Sequence, residues 1–280
     1  MEIDGAHVGT VKAVVLARGV GRRMREADAG STLNEAQRLA ASLGQKAMMP
    51  IGASNGRPFL DYVLAGLADA GVTDVCLVVA PDHAAMREHF ERAHVTRLRL
   101  QYAVQPEALG TANALLAARE FAGSDLILVL NADNLYPHQS LVDLVGLDGP
   151  GVAAFDCAAL VAESGFAPER VAQFAVLEAD AENVLVGIHE KPGLAGLDAF
   201  GPRALVGMNL WRFADSIFRA CQDVPKSARG EFELPEAVMI AVTRGERIRV
   251  VPASGAVLDL SRRADVAGVS ARLAEREPRL

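Results

Sequence analysis

Val14-Val15-Leu16-Ala17-Arg18-Gly19-Val20-Gly21-Arg22-Arg23-Met24 is an apolar run that breaks into a glycine-punctuated, arginine-rich loop. A Val/Leu-rich run without alternation reads as a parallel strand covered on both faces. Glycines directly after it let backbone N–H groups approach an anion closely. The arginines add charge that a phosphate accepts in bidentate fashion. The stretch therefore predicts a nucleotide phosphate at the carboxyl end of the first strand of an open α/β sheet. A plain tight turn is the alternative for the loop taken alone. Two other phosphate-binding patterns fail on the residues. No Gly-Lys-Ser/Thr follows, and Arg22-Arg23-Met24 stands where a dinucleotide fingerprint needs its third small residue.

Downstream, short apolar runs alternate with helical patterns. Strands are predicted at 11–17, 74–80, 98–104 and 125–131, and helices at 59–70, 82–89, 111–120 and 139–147. This βαβα order predicts a doubly wound, mainly parallel sheet with its ligand at the strands' carboxyl ends. From 151 onward the runs at 151–155, 173–178, 184–189 and 205–211 are broken by Gly, Pro and Asp. They read as antiparallel strands that extend the sheet or form a lobe over it. Helices at 214–221 and 234–244, a strand at 247–252 and a charged helix from Asp265 complete the chain. No linker or repeat divides it, so a single domain over 1–280 is expected, with a first half at about 11–150 and a second of different character at about 151–280. The polar, then Ala/Leu-rich stretch Glu26–Gly44 reads either as a surface insertion or as a flap over the loop.

With 280 residues, 51% of them hydrophobic, the chain is long enough for one large core. A net charge of −7 argues against a general nucleic-acid binder but leaves room for a local basic pocket. Cys76, Cys157 and Cys221 are widely spaced in or near apolar runs and read as reduced packing residues. The absence of a secretory pattern and of a membrane-length apolar run leads to the expectation of a cytoplasmic protein with no membrane partner.

Four more stretches carry chemistry: Gln45-Lys46-Ala47-Met48-Met49-Pro50, Gln105-Pro106-Glu107-Ala108-Leu109-Gly110-Thr111-Ala112, Leu128-Val129-Leu130-Asn131-Ala132-Asp133-Asn134 and Glu190-Lys191-Pro192. At these residues the chain resembles the sugar-1-phosphate nucleotidyltransferases, whose motifs occur in the same order. Arg229-Gly230-Glu231-Phe232-Glu233-Leu234 and Val257-Leu258-Asp259 extend the match to the late part of the chain. The resemblance spans roughly 11–269 and implies a Rossmann-like nucleotidyltransferase fold with an antiparallel sugar-binding lobe, the nucleotide-binding half lying at about 11–150 and the sugar-binding half at about 151–280. The implied activity joins an NTP to a sugar 1-phosphate with release of pyrophosphate, and Mg²⁺ is the implied cofactor. Many relatives assemble as dimers or tetramers, so a homo-oligomer is compatible with it.

Carried over residue by residue, the resemblance assigns Leu16, Ala17, Gly19 and Gly21 to the nucleotide, with Arg23 neutralising the β- and γ-phosphates. Lys46 would contact the α-phosphate and the attacking sugar phosphate. Asp133 and Asp259 would hold the metal, with Asp133 counted among the catalytic residues beside Arg23 and Lys46. Gln105 and Gly110 would read the base. Glu190 would bind sugar hydroxyls, Lys191 and Arg229 the sugar phosphate, and Val206 would pack against the sugar. A carboxamide can pair with the N3–H and a carbonyl of uracil or thymine. Gln105 therefore tilts the expectation towards UTP or dTTP, while Glu107 keeps guanine open.

Five places depart from the family pattern. Arg18 and Arg22 replace small residues in the loop and either assist or obstruct the phosphates. Ala132 stands in place of a glycine before Asp133, and Ala175 in place of a glycine facing the sugar. Ser261-Arg262-Arg263 replaces Gly-Thr after the second acid. These put glucose 1-phosphate in doubt as the substrate. Guanylyl or cytidylyl transfer to an unusual sugar phosphate is the alternative within the class. A catalytically silent, NDP-sugar-binding regulatory paralogue is the alternative outside it, and the presence of Lys46, Asp133 and Asp259 speaks for the enzyme.

Overall fold

The computed structural model describes residues 11–26, 28, 30–51, 56–201 and 203–280. The strands, in chain order, begin with β1 (Lys12–Leu16), β2 (Pro50–Ile51), β3 (Arg57–Pro58), β4 (Asp74–Val79), β5 (Arg99–Val104) and β6 (Ile127–Asn131). They continue with β7 (Asn134–Leu135), β8 (Gly151–Asp156), β9 (Ala175–Ala179), β10 (Leu185–His189), β11 (Leu205–Phe213), β12 (Arg249–Ala253) and β13 (Leu258–Asp259). Among the described residues, nine strands form one sheet in the order β10-β9-β11-β6-β1-β4-β5, with β8 pairing β11 and β12 pairing β8. β5, β4, β1 and β6 are mutually parallel. β11 runs antiparallel to β6, as do β8 and β9 to β11 and β10 to β9. The second half therefore extends the first half's sheet, one of the two arrangements its sequence allows.

The opening run explains the sheet's central position. Ala13, Val14 and Val15 are fully buried, and Val14 is flanked by Cys76 on one side and Val129 on the other. Alternate residues serve opposite faces. Ala13 and Val15 join Leu77, Leu128 and Leu130 in one core, which the helices Phe59–Asp69, Ala84–Arg92 and His138–Val145 cover. Val14 joins Cys76, Val78, Ile127 and Val129 in the other, beneath the helices Thr111–Ala117, Ser216–Asp223 and Leu234–Thr243. A strand buried on both faces needs apolar residues at every position, so alternation is lost.

Most predicted elements agree with the structure to within a few residues. The predicted helix 111–120 is instead broken at Ala118 into Thr111–Ala117 and Arg119–Ala122. Helices at Cys157–Ser164, Pro168–Val171 and Gly193–Ala199 were not anticipated. Of the stretch Glu26–Gly44, residues 27 and 29 lie outside the described residues. Its helix, Glu35–Leu43, starts at an Asn34 capping box with Gln37 and ends at Gly44, whose φ of 70° fits the left-handed cap. It is docked onto the chain beside the loop: Gln37 donates to the Pro50 carbonyl and Arg25 to that of Leu43. Cys76 and Cys221 are buried, Cys157 is partly exposed, and all three are free thiols.

Candidate active site

Three backbone hydrogen bonds align the carboxyl ends of the parallel strands. Ala17 N donates to Val78 O at 2.8 Å, Gln105 N to Val79 O at 2.9 Å and Ala132 N to Leu16 O at 3.1 Å. The signature loop, the base loop and the segment of Asp133 thus leave the sheet at one edge. A cavity of about 620 Å³ opens there, lined by Leu16, Ala17, Gly19, Lys46, Gln105, Gly110 and Asp133 among others. Across it, Lys46 Nζ lies 2.8 Å from Asp133 Oδ2, joining residues 87 apart in sequence.

The two glycine positions that matter most are sterically closed. Gly21 has a φ of +60°, and a Cβ there would meet the Gly44 carbonyl oxygen at 2.3 Å. The loop and the Glu35–Leu43 helix therefore approach backbone to backbone, immediately before Lys46. Gly110 has a φ of +102°, and a Cβ there would lie 2.4 Å from Phe232 O. The base loop is thereby pressed against the Arg229–Leu234 segment, with Phe232 N donating to Leu109 O and Ala112 N to Phe232 O.

The two aspartates converge through a small antiparallel pair, in which Asp259 of β13 lies opposite Asn134 of β7 and Leu260 N donates to Asp133 O at 2.9 Å. Asp259 is buried; its Oδ1 accepts from Ser261 Oγ at 2.8 Å and its Oδ2 from Arg170 Nη2 at 2.9 Å. Burial pushes its carboxyl above the usual range and the nearby Asp133 charge pushes it further, while Arg170 and Ser261 pull it back. Tyr136, buried beside both acids, donates to the Met208 carbonyl at 2.6 Å and is held un-ionised by burial and by the two charges. Two hard carboxylates in each other's field suit a divalent cation that draws its remaining oxygens from water and phosphate. No third His, Cys, Asp or Glu joins such a group among the described residues.

The other predicted residues lie outside the cavity lining. Gly21 caps the short Arg22–Arg25 helix, on which Arg23 is exposed. Glu190 is exposed just beyond the end of β10, where partial desolvation raises its carboxyl, Lys191 lowers it, Glu233 raises it and Arg229 lowers it. Arg229 pairs with Glu233 at 2.8 Å, and Glu231, two residues on, lines the cavity. Lys191 adopts a left-handed φ of 48°. Val206 is fully buried in β11, within the main core.

The replaced loop positions have distinct places. Arg18 lines the cavity and reaches across it, donating to the carbonyls of Gln105 and Pro106 at 3.4 Å each. Arg22 is exposed, with its Nη2 3.8 Å from Glu231 of the cavity lining. Arg263 donates to the Met24 and Arg25 carbonyls, tying the segment after Asp259 to the end of the loop helix. Ala132 is buried on the cavity wall, and Ala175 pairs with Gly207 in the β9–β11 ladder.

Sequence reasoning missed three features. Arg170 holds both Asp259 and Asp265, and its basic charge in an otherwise unremarkable helix carried no local signal. Asn113 bonds the Gln105 side chain. Asn209 takes a φ of 59° within β11, where the register shifts between Gly207 and Trp211. One expectation also needs correction: the Gln105 amide nitrogen is fully engaged by protein, so this side chain does not offer a donor and an acceptor together.

Residues 38–260 match the profile of the nucleotidyl transferase family. The chain belongs to that family. It is 28% identical over 250 residues to a UTP–glucose-1-phosphate uridylyltransferase of Haloferax volcanii, covering 89% of this chain and 91% of that one. It is 30% identical to a glucose-1-phosphate thymidylyltransferase of Streptomyces antibioticus, covering 96% of this chain and 68% of the relative. In fold it is similar to a UDP-glucose pyrophosphorylase solved with UDP-glucose, with a TM-score of 0.73, 17% identity and coverage of 96% and 100%. The family profile begins after the signature loop, so the loop's departures lie outside the matched range.

Proposed function

We propose that this member of the family transfers a nucleotidyl group from UTP or dTTP to a sugar 1-phosphate, giving an NDP-sugar and pyrophosphate. The observation that carries the reading is the Lys46–Asp133 pair on the wall of a cavity shared with the signature loop and Gln105. The matched uridylyl- and thymidylyltransferases support the substrate class.

In this reading a phosphate oxygen of the sugar 1-phosphate attacks the α-phosphorus in line. The new O–P bond forms as the bridge to the β-phosphate breaks, and pyrophosphate leaves with the electron pair. With a second pKa of about 6, the attacking phosphate is largely dianionic near neutral pH, so no general base is required. Positioning and charge neutralisation account for the catalysis. Lys46 holds the α-phosphate and the attacker, and Arg23 neutralises the departing phosphates. The backbone of Leu16 to Gly21 receives the nucleotide, and Gln105 and Gly110 read its base. Glu190, Lys191 and Arg229 form the sugar side; Val206, which the resemblance also assigned there, is fully buried in β11 and leaves no surface for the sugar. Asp133 and Asp259 would hold Mg²⁺, which supplies positive charge at the reacting phosphates. Because one sheet runs through both halves, we treat residues 11–280 as a single domain. We place the reaction in the cytoplasm, where NTPs are supplied; no described helix is long and apolar enough to cross a membrane.

The test is pyrophosphate release with Mg²⁺ across ATP, GTP, CTP, UTP and dTTP, each against a panel of sugar 1-phosphates. Release that requires both substrates supports the reading and identifies base and sugar together. The double variant Asp133→Asn, Asp259→Asn should abolish turnover while retaining part of the nucleotide affinity. Undiminished turnover in that variant would sink the metal assignment.

A further inference from the structure

Gln105 follows β5 directly and is buried at the cavity edge. Its Nε2 donates to Gly110 O at 3.1 Å and to Asn113 Oδ1 at 2.8 Å. A backbone carbonyl only accepts, so the nitrogen of the Gln105 amide must face Gly110. Asn113 then has to present its oxygen to the same NH₂ group. Both amide hydrogens are engaged. The Gln105 backbone is engaged too, its N–H with Val79 O and its carbonyl with Arg18 Nε. The polar atom left without a partner among the described residues is Oε1, which accepts and cannot donate.

The Gly110 carbonyl is a shared acceptor, because it also takes the Ala114 N–H at 3.0 Å in the first turn of the Thr111–Ala117 helix. Asn113 supplies the acceptor for the second amide hydrogen. Its place in that turn carries its side chain back towards Gln105. Without it, one shared carbonyl would resist reversal of the amide, and the reversed amide would present a donor.

We infer that Asn113 is a specificity-determining positioning residue, which locks Gln105 as a pure acceptor so that the site favours uracil or thymine nucleotides over cytosine nucleotides. Uracil and thymine carry an N–H at N3, whereas cytosine carries a lone pair there and repels an acceptor. The inference rests on the proposed function, in which Gln105 faces the base, and it adds a residue and a direction of discrimination to that reading.

The experiment measures UTP, dTTP and CTP binding by calorimetry, with kcat/KM from pyrophosphate release in parallel, for wild type, Asn113→Leu, Asn113→Ala and Asn113→Asp. Wild type should prefer UTP or dTTP to CTP. In the Leu and Ala variants that preference should fall by about threefold to tenfold, the range one net hydrogen bond covers. The Asp variant keeps an acceptor and should hold the ratio within about twofold of wild type. A preference untouched in both the Leu and Ala variants overturns the inference, as does equal weakening of all three nucleotides, which is the result of simple loop damage. A wild type that favours CTP or shows no preference overturns it as well. A calorimetric preference that responds as described without any turnover leaves the inference standing and defeats the transferase reading. Binding of none of the three defeats both.

Discussion

Replacing Arg170 with Met should destabilise the protein strongly, and more so at higher pH. The guanidinium bonds Asp265 through Nη1 at 2.6 Å and Nη2 at 3.1 Å, and Asp259 at 2.9 Å, while stacking 4.8 Å from the Phe166 ring centre. Met keeps much of the apolar contact with Phe166 and removes the charge. Removing one partner of a buried ion pair costs about 3–5 kcal/mol, because a charge is left uncompensated. Arg170 is 27% exposed and Asp259 only 5%. That exposure and the remaining Ser261 bond reduce the expected loss to about 2–4 kcal/mol. For a chain of this size the loss lowers Tm by roughly 4–16 °C.

The pH dependence follows from the direction of the Asp259 shift. Its carboxyl is raised above the ordinary 3.8 by burial first and by Asp133 second, with Arg170 opposing both. The folded state therefore holds this proton more tightly than the unfolded chain. Its contribution to stability is fully present below the ordinary value and is lost as pH rises through the folded one. Without Arg170 the shift grows, so the variant's deficit should be larger at pH 8 than at pH 5. Calorimetric unfolding at both values reads it, and adding Asp259→Asn should recover part of the loss. A deficit below about 1 kcal/mol, or one of equal size at both pH values, refutes the argument.

Three further outcomes are expected. Gly110→Ala forces a side chain into a φ of +102° against Phe232 O. It should cost about 1–3 kcal/mol from the backbone alone and weaken nucleotide binding; denaturant unfolding and calorimetry check it, and a variant unchanged in both would contradict the geometry. Lys46→Met should lower kcat by about 10²–10³-fold, as loss of one preorganised charge-stabilising group does. The pair with Asp133 is part-buried and shares some solvent on both sides, so the stability loss should be smaller than for Arg170, about 1–2 kcal/mol, and proportionate losses of folding and turnover would argue for a merely structural lysine. Glu190 is raised from the ordinary 4.5, mainly by desolvation. Below the fall at about pH 6 that the attacking phosphate's own titration imposes on every variant, sugar-phosphate kcat/KM should decline further as Glu190 takes up its proton, and Glu190→Gln should remove only that further decline. An identical pH profile in the variant would exclude Glu190 from the sugar site.

The sequence by itself determined the class of fold and the order of the motifs. Those signals are local: an uninterrupted Val/Leu run marks a strand covered on both faces, glycines mark closed backbone approaches, and Pro and Gly mark the breaks between elements. The arrangement of Lys46 with Asp133, and of Asp133 with Asp259, depended on strand order. Parallel neighbours are joined by long crossovers, so their carboxyl ends meet only once the sheet has formed. Arg170 lies 89 residues from Asp259, and neither its helix nor its charge announces the pairing. Gln105 was legible as a residue, but the direction of its amide was not. That direction is set by two acceptors, one of them a backbone carbonyl held in place by the packing of Gly110 on Phe232. Residue type fixes which hydrogen bonds are available, and tertiary packing decides which are already engaged before a substrate arrives.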